Sequence, residues 1–195
     1  MAGGFLRAGP PGHYGIIDVM THPADLTLPP PRTPGGPYRI CCVCLGNICR
    51  SPMAEVVLRA QLDKAGLAGK VMVDSAGTGD WHIGDAMNGR ARDQLARAGY
   101  DGEAHRARQI DAYWLPQRDL LLAMDAANLR DLRALAPAAD ADRIRLFGEI
   151  AGLGGRDVPD PYYGTAADFA AVLALLEQGM ATLVADLKTM PHLSA

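Results

Sequence analysis

A chain of 195 residues with 49% hydrophobic side chains can bury one good core, so a single folded domain is expected. Its formal net charge of −3 gives no general attraction for nucleic acid or an anionic membrane, which leaves any affinity for phosphate to a local site. No apolar run reads as a membrane span, and Gly and Pro break up the N-terminal stretch where a signal peptide would need its apolar core, so a cytoplasmic protein is expected.

Residues 1–37 hold eight of the fourteen prolines and seven glycines, and read as a disordered arm ahead of a domain over residues 38–195. Residues 38–43 (Tyr-Arg-Ile-Cys-Cys-Val) form a short run of β-formers and read as a buried parallel strand. Beyond it, Ala54, Val57, Leu58, Leu62 and Ala65 recur at helical spacing, with Ser51 as the expected N-cap and Pro52 at the first helical position. Residues 71–75 read as a second strand, which completes a βαβ unit. Helices are then expected over 88–98, 110–115 and 125–136, with strands over 119–124 and 143–147. The last helix carries one apolar stripe of Phe169, Val172, Leu173, Leu176, Met180, Leu183, Val184 and Leu187. Strands alternating with helices predict an α/β fold: an open four-stranded parallel sheet with helices on both faces, Rossmann-like, with ligands at the C-terminal ends of the strands.

The first strand runs into Cys44-Leu45-Gly46-Asn47-Ile48-Cys49-Arg50-Ser51-Pro52. Five residues separate Cys44 from Arg50, so a loop at a helix N-terminus can curl its N–H groups over the Cys44 thiol and make an anion site. Gly46 and Asn47 are residue types that tolerate positive φ in such a loop. Positive surroundings favour a thiolate, and Arg50 can grip two oxygens at once. The combination suits a thiolate attacking phosphorus while the loop from Leu45 to Ser51 holds the other oxygens. All four cysteines lie between Cys41 and Cys49, in and just after one strand whose side chains alternate faces, which argues for reactive reduced thiols rather than a disulfide framework or zinc; no metal or cofactor is expected.

The segment Val43 to Glu55 resembles the signature of the low-molecular-weight protein tyrosine phosphatases, and the resemblance runs from about Tyr38 to Lys188. It implies the phosphotyrosine phosphatase I type of fold, hydrolysis of tyrosine-phosphorylated proteins through a cysteinyl phosphate, and phosphate or another oxyanion in the loop. A tyrosyl leaving group has a pKa of about 10 and needs a proton donor; Asp160, in Asp160-Pro161-Tyr162-Tyr163-Gly164, is the candidate acid, with Tyr162 and Tyr163 as a wall for the aromatic ring. By the same resemblance Trp81 and His82 border the opposite side of the slot, and His105 braces the loop through Asn47 and Ser51. Ser51 also donates to the Cys44 thiolate, and Ser75 and Glu55 extend the network. Cys49 is placed to capture oxidised Cys44 as a disulfide, a redox safeguard. The segment beginning at Asp125 resembles the family without suggesting any chemistry. A monomer with weak self-association is expected.

Three rival readings use the same scaffold. Arsenate reductase would need cysteines after Cys49, and there are none. A phosphoarginine phosphatase is expected to carry Thr where this chain has Ile48, and a phosphotyrosine-binding module without activity would have lost one of Cys44, Arg50 or Asp160.

Overall fold

The computed structural model describes residues 27–194. Four parallel strands, β1 (Tyr38–Cys44), β2 (Val71–Gly77), β3 (Leu120–Ala123) and β4 (Ile144–Leu146), lie in the order β2-β1-β3-β4. The helices are α1 (Arg50–Lys64), α2 (Gly89–Arg97), α3 (Ala126–Leu135), the short α4 (Phe147–Ile150) and α5 (Ala166–Thr189). Because β1 has β2 on one side and β3 on the other, the chain reverses its winding at the C-terminal end of β1, where open α/β sheets form their crevice. Cys44 ends β1 there, opposite Gly77 in β2, and Val43 is opposite Ala123 in β3.

The alternation of a strand divides the core in two. Ile40, Cys42, Leu120 and Leu122 face one apolar cluster with α1 and the stripe of α5, while Cys41, Val43, Leu121 and Ala123 face a second with Leu132 of α3, Ile110 and Leu115. Full burial of each large side chain contributes roughly 1.5–3 kcal/mol, so the stripe from Phe169 to Leu187 is the main fastening of α5. By length and mean hydropathy alone α5 could cross a membrane, which the sequence reading overlooked; its apolar stripe is buried in the protein core instead.

Two expectations need correcting. No helix forms over residues 110–115. Gly77 N donates to Arg108 O and Ile110 N to Gly77 O, so the chain around Gln109 bridges to the end of β2, and the residues after Ile110 form turns that lead to a single 3-10 turn at Leu115–Gln117. The boundary of the expected disordered arm also moves. Residues 1–26 lie outside the described region, but residues 28–37 strap the end of the sheet opposite Cys44. Leu28 packs on the core, Pro29 O accepts from Tyr38 Oη at 2.9 Å, and Arg143 reaches Pro30 O at 2.9 Å. Arg32 donates its backbone N–H to Asp119 at 2.6 Å and its guanidinium to Arg118 O at 2.7 Å and Asp140 at 2.6 Å. A reading of composition counts apolar surface, and this strap is held mainly by polar groups.

Candidate active site

The loop between β1 and α1 is shaped by what holds its carbonyls. Cys44 O accepts from Thr78 N at 2.9 Å, Leu45 O from Gly79 N at 2.8 Å, Asn47 O from His105 Nε2 at 2.7 Å and Ile48 O from Asn88 N at 2.8 Å. In a planar trans peptide the N–H points away from the C=O, so the N–H groups of Leu45, Gly46, Ile48 and Cys49 turn the other way, into the loop. Asn47 is the residue with positive φ, at 54°. Gly46 is not; a Cβ there would come within 3.0 Å of His82 Cδ2, so the imidazole would have to give way. Gly77 in β2 is needed for room, because a Cβ would lie 2.6 Å from Leu45 O.

Ser51 is not the N-cap. Helix α1 begins at Arg50 with Cys49 in the capping position, and Pro52 is its third residue. The Ser51 hydroxyl is 3.0 Å from Cys44 Sγ and also reaches Ala76 O at 3.2 Å. Asn47 Nδ2 donates to Ser51 Oγ and to Ser75 Oγ, both at 2.9 Å, and Ser75 donates to Glu55 at 2.6 Å. Arg108 N closes the network on Asn47 Oδ1 at 2.8 Å. All the expected supporting residues therefore meet beneath the thiol, although His105 touches Asn47 and not Ser51.

Burial works against the charge of Arg50, but the Cys44 sulfur, Asp125 and Asp160 outweigh it and raise its pKa. Its guanidinium donates to Asp125 at 2.5 Å, Val158 O at 3.2 Å and Asp160 Oδ2 at 2.6 Å. Its buried Nε has no hydrogen-bond partner, so one donor of the guanidinium stays available to an oxyanion. Asp125 was missed in the sequence because its obvious role is to cap α3 through Asn128 N, at 2.7 Å; its second oxygen orients Arg50.

Cys44, Leu45, Gly46, Ile48, Cys49 and Arg50 floor a cavity of about 490 Å³, and Trp81, His82, Asp160, Tyr162 and Tyr163 wall it. The Tyr162 and Tyr163 rings meet edge-to-face at 4.8 Å. Tyr163, 96% exposed, and Trp81, 70% exposed, stand at the rim. His82 is fixed by Asp85, 3.0 Å from its Nδ1. Among the described residues no three His, Cys, Asp or Glu side chains are grouped to hold a metal ion.

Burial lowers the pKa of His105, only partly offset by its bond to Asn47 O and by Glu55, while Arg108 and Arg106 lower it further. The unfolded chain, with His near its ordinary value of about 6.5, takes up a proton first as pH falls, so this contribution to stability is present above that value and is lost below it. Thermal midpoints at pH 7.5 and pH 5 should therefore fall further apart in the wild type than in His105→Gln. Equal falls would contradict this role of His105.

This arrangement suits the transfer of a phosphoryl group to sulfur and then to water, which places the protein in the class of cysteine-dependent phosphatases. Residues 39–192 match the family model for low molecular weight phosphotyrosine protein phosphatase, and the chain belongs to that family. A Streptomyces coelicolor low molecular weight protein-tyrosine-phosphatase is 47% identical over 156 residues, covering 77% of this chain and 94% of the relative. The crystal structure of YfkJ from Bacillus subtilis is similar with a TM-score of 0.73 at 36% identity, covering 80% of this chain and 98% of that one. Vibrio vulnificus Wzb, solved in complex with benzylphosphonate, gives a TM-score of 0.70 at 30% identity, covering 78% and 100%. The four-stranded parallel sheet expected from the sequence agrees with these structures.

Proposed function

We propose that Cys44 attacks the phosphorus of phosphotyrosine in proteins, and of small aryl phosphates, while Arg50 and the loop N–H groups hold the equatorial oxygens. Asp160 protonates the departing phenolate, and the same group then takes a proton from the water that hydrolyses the cysteinyl phosphate. The observation that carries this reading is the shared cavity: Cys44 and Arg50 form its floor and Asp160 its wall, with an aromatic rim between them and solvent. That Wzb is in complex with benzylphosphonate, a phenyl ring next to a phosphonate, supports an aryl ligand for a slot of this kind. Ile48, buried and lining the cavity, adds an apolar surface that favours the aryl group over a guanidinium. Steady-state hydrolysis of phosphotyrosine, para-nitrophenyl phosphate and phosphoarginine tests the assignment. Preference for phosphoarginine, or no turnover at all, would refute it.

The reading includes a redox safeguard. Peroxide oxidises the Cys44 thiolate to a sulfenic acid, with hydroxide as the other product; the Cys49 thiol then displaces the sulfenic oxygen as water to form the disulfide, and a reducing dithiol, itself oxidised, restores both thiols. Burial, then the nearby Cys44 and Asp160, push the Cys49 thiol up to about 12, against the pull of Arg50 and Arg90. Loss of the Cys44 charge on oxidation removes one of those causes. Peptide mapping after mild peroxide should find a Cys44–Cys49 linkage, and Cys49→Ala should recover less activity with dithiothreitol. No linkage together with equal recovery would refute it. We further propose a cytoplasmic setting, where a nucleophilic thiol is kept reduced, and a monomer with at most weak self-association, to be checked by fractionation and light scattering.

A further inference from the structure

Asp160 lies between two fixed points. On one side Val158 N donates to Met124 O at 2.8 Å, and Val158 O accepts from Arg50. On the other, the chain turns tightly: Tyr162 N donates to Asp160 Oδ1 at 3.1 Å and Gly164 N to Pro161 O at 2.8 Å. Arg50 holds the Asp160 carboxylate directly, and one further residue clamps the backbone of that second turn. Arg90, near the start of α2, donates one guanidinium nitrogen to Tyr162 O at 2.6 Å and another to Gly164 O, and its Cζ lies 4.9 Å from the centre of the Phe169 ring. One helical turn on, Gln94 adds a bond to Ala166 O at 3.1 Å.

The other end of this clamp is the phosphate loop. Asn88 caps α2 by accepting from Arg90 N at 3.0 Å, and its own N–H holds Ile48 O at 2.8 Å. Three residues of chain therefore join the loop that holds phosphate to the loop that carries the acid. A planar fork spanning two carbonyls on either side of Tyr163 fixes both the position and the tilt of the turn, which a point-charge ammonium cannot do.

We propose that Arg90 is a positioning residue for catalysis: through the Tyr162 and Gly164 carbonyls it sets the reach of Asp160 to the leaving oxygen above Cys44. The proposal rests on the reading of Asp160 as the general acid. Misplacing a reacting group by about 1 Å can cost roughly 10²-fold. That cost falls only on substrates whose leaving group needs the proton.

The test compares wild type, Arg90→Met, Arg90→Lys, Asp160→Asn and the Arg90→Met/Asp160→Asn double variant on phenyl phosphate and 2,4-dinitrophenyl phosphate. Arg90→Met should lose roughly 10²-fold in kcat/KM on the phenyl ester and stay within about threefold of wild type on the dinitrophenyl ester. It should also add no further loss in the Asp160→Asn background. Arg90→Lys keeps the charge near Phe169 but loses the fork, and should show an intermediate bias against the phenyl ester. Equal losses on both esters in Arg90→Met, wild-type bias in Arg90→Lys, or multiplicative losses in the double variant would overturn the positioning role. If Asp160→Asn is itself unbiased, the acid assignment fails as well; bias in Asp160→Asn without bias in the Arg90 variants sinks the Arg90 proposal alone.

Discussion

Cys44→Ser is expected to reduce turnover by about 10⁴-fold or more, in line with the loss on removing a nucleophile from other covalent enzymes. The reason lies in acidity: a serine hydroxyl is not ionised near neutral pH, and the side chain hydrogen-bonded at position 44 offers no general base in compensation. The nearest polar side chain, Ser51 at 3.0 Å, is itself a hydroxyl committed to Asn47 and Ala76 O. Binding should survive, since the inward N–H groups and Arg50 are untouched. Activity within tenfold of wild type would mean that the phosphoryl group never passes through sulfur.

Asp160→Asn is expected to slow phosphorylation of Cys44 by phosphotyrosine by roughly 10²–10⁴-fold, and to slow it much less for para-nitrophenyl phosphate, whose leaving group departs with little protonation. The structure adds a second consequence. Asp160 Oδ2 sits 2.6 Å from Arg50 Nη2, so an incoming dianion meets a carboxylate at its own anchor. Protonating Asp160 removes this conflict and supplies the proton for the leaving group in the same event. The neutral asparagine should therefore bind sulfate more tightly than wild type. Single-turnover rates over a series of aryl phosphates, with sulfate inhibition at neutral pH, check both arms. Equal rate losses for good and poor leaving groups would leave Asp160 as a shaper of the loop only.

The parts of the molecule legible in the sequence were those whose chemistry and local geometry coincide. Cys44, the five-residue loop, Arg50 and the start of α1 are consecutive, so spacing alone places them at one point, and the stripe of α5 needs only its own periodicity. Asp160 was legible because a phenolate leaving from the Cys44 loop must be protonated and because its segment resembles the family's. What stayed hidden depends on distant partners. Asp125 and Arg90 look like an ordinary helix cap and an ordinary first-turn arginine until tertiary structure brings them to Arg50 and to the acid loop. Ser51 misled for the same reason, its hydroxyl being taken by Cys44 and Ala76 O rather than by the helix end. Residues 110–115 misled because the parallel bridge of Gln109 to Gly77, which takes up the Ile110 N–H, draws their start toward the sheet.

The claim on which the rest depends is that phosphate passes through Cys44. Rapid acid quench of Asp160→Asn mixed with excess para-nitrophenyl phosphate, followed by peptide mass spectrometry, tests it most directly. The variant forms the intermediate quickly from this good leaving group, yet lacks the base that would activate water for its hydrolysis. The account predicts a phosphorylated peptide spanning Cys44, with the modification on the Cys44 sulfur and absent in the Cys44→Ser/Asp160→Asn double variant. Phosphate on another residue, or turnover with no covalent adduct at any quench time, would contradict it.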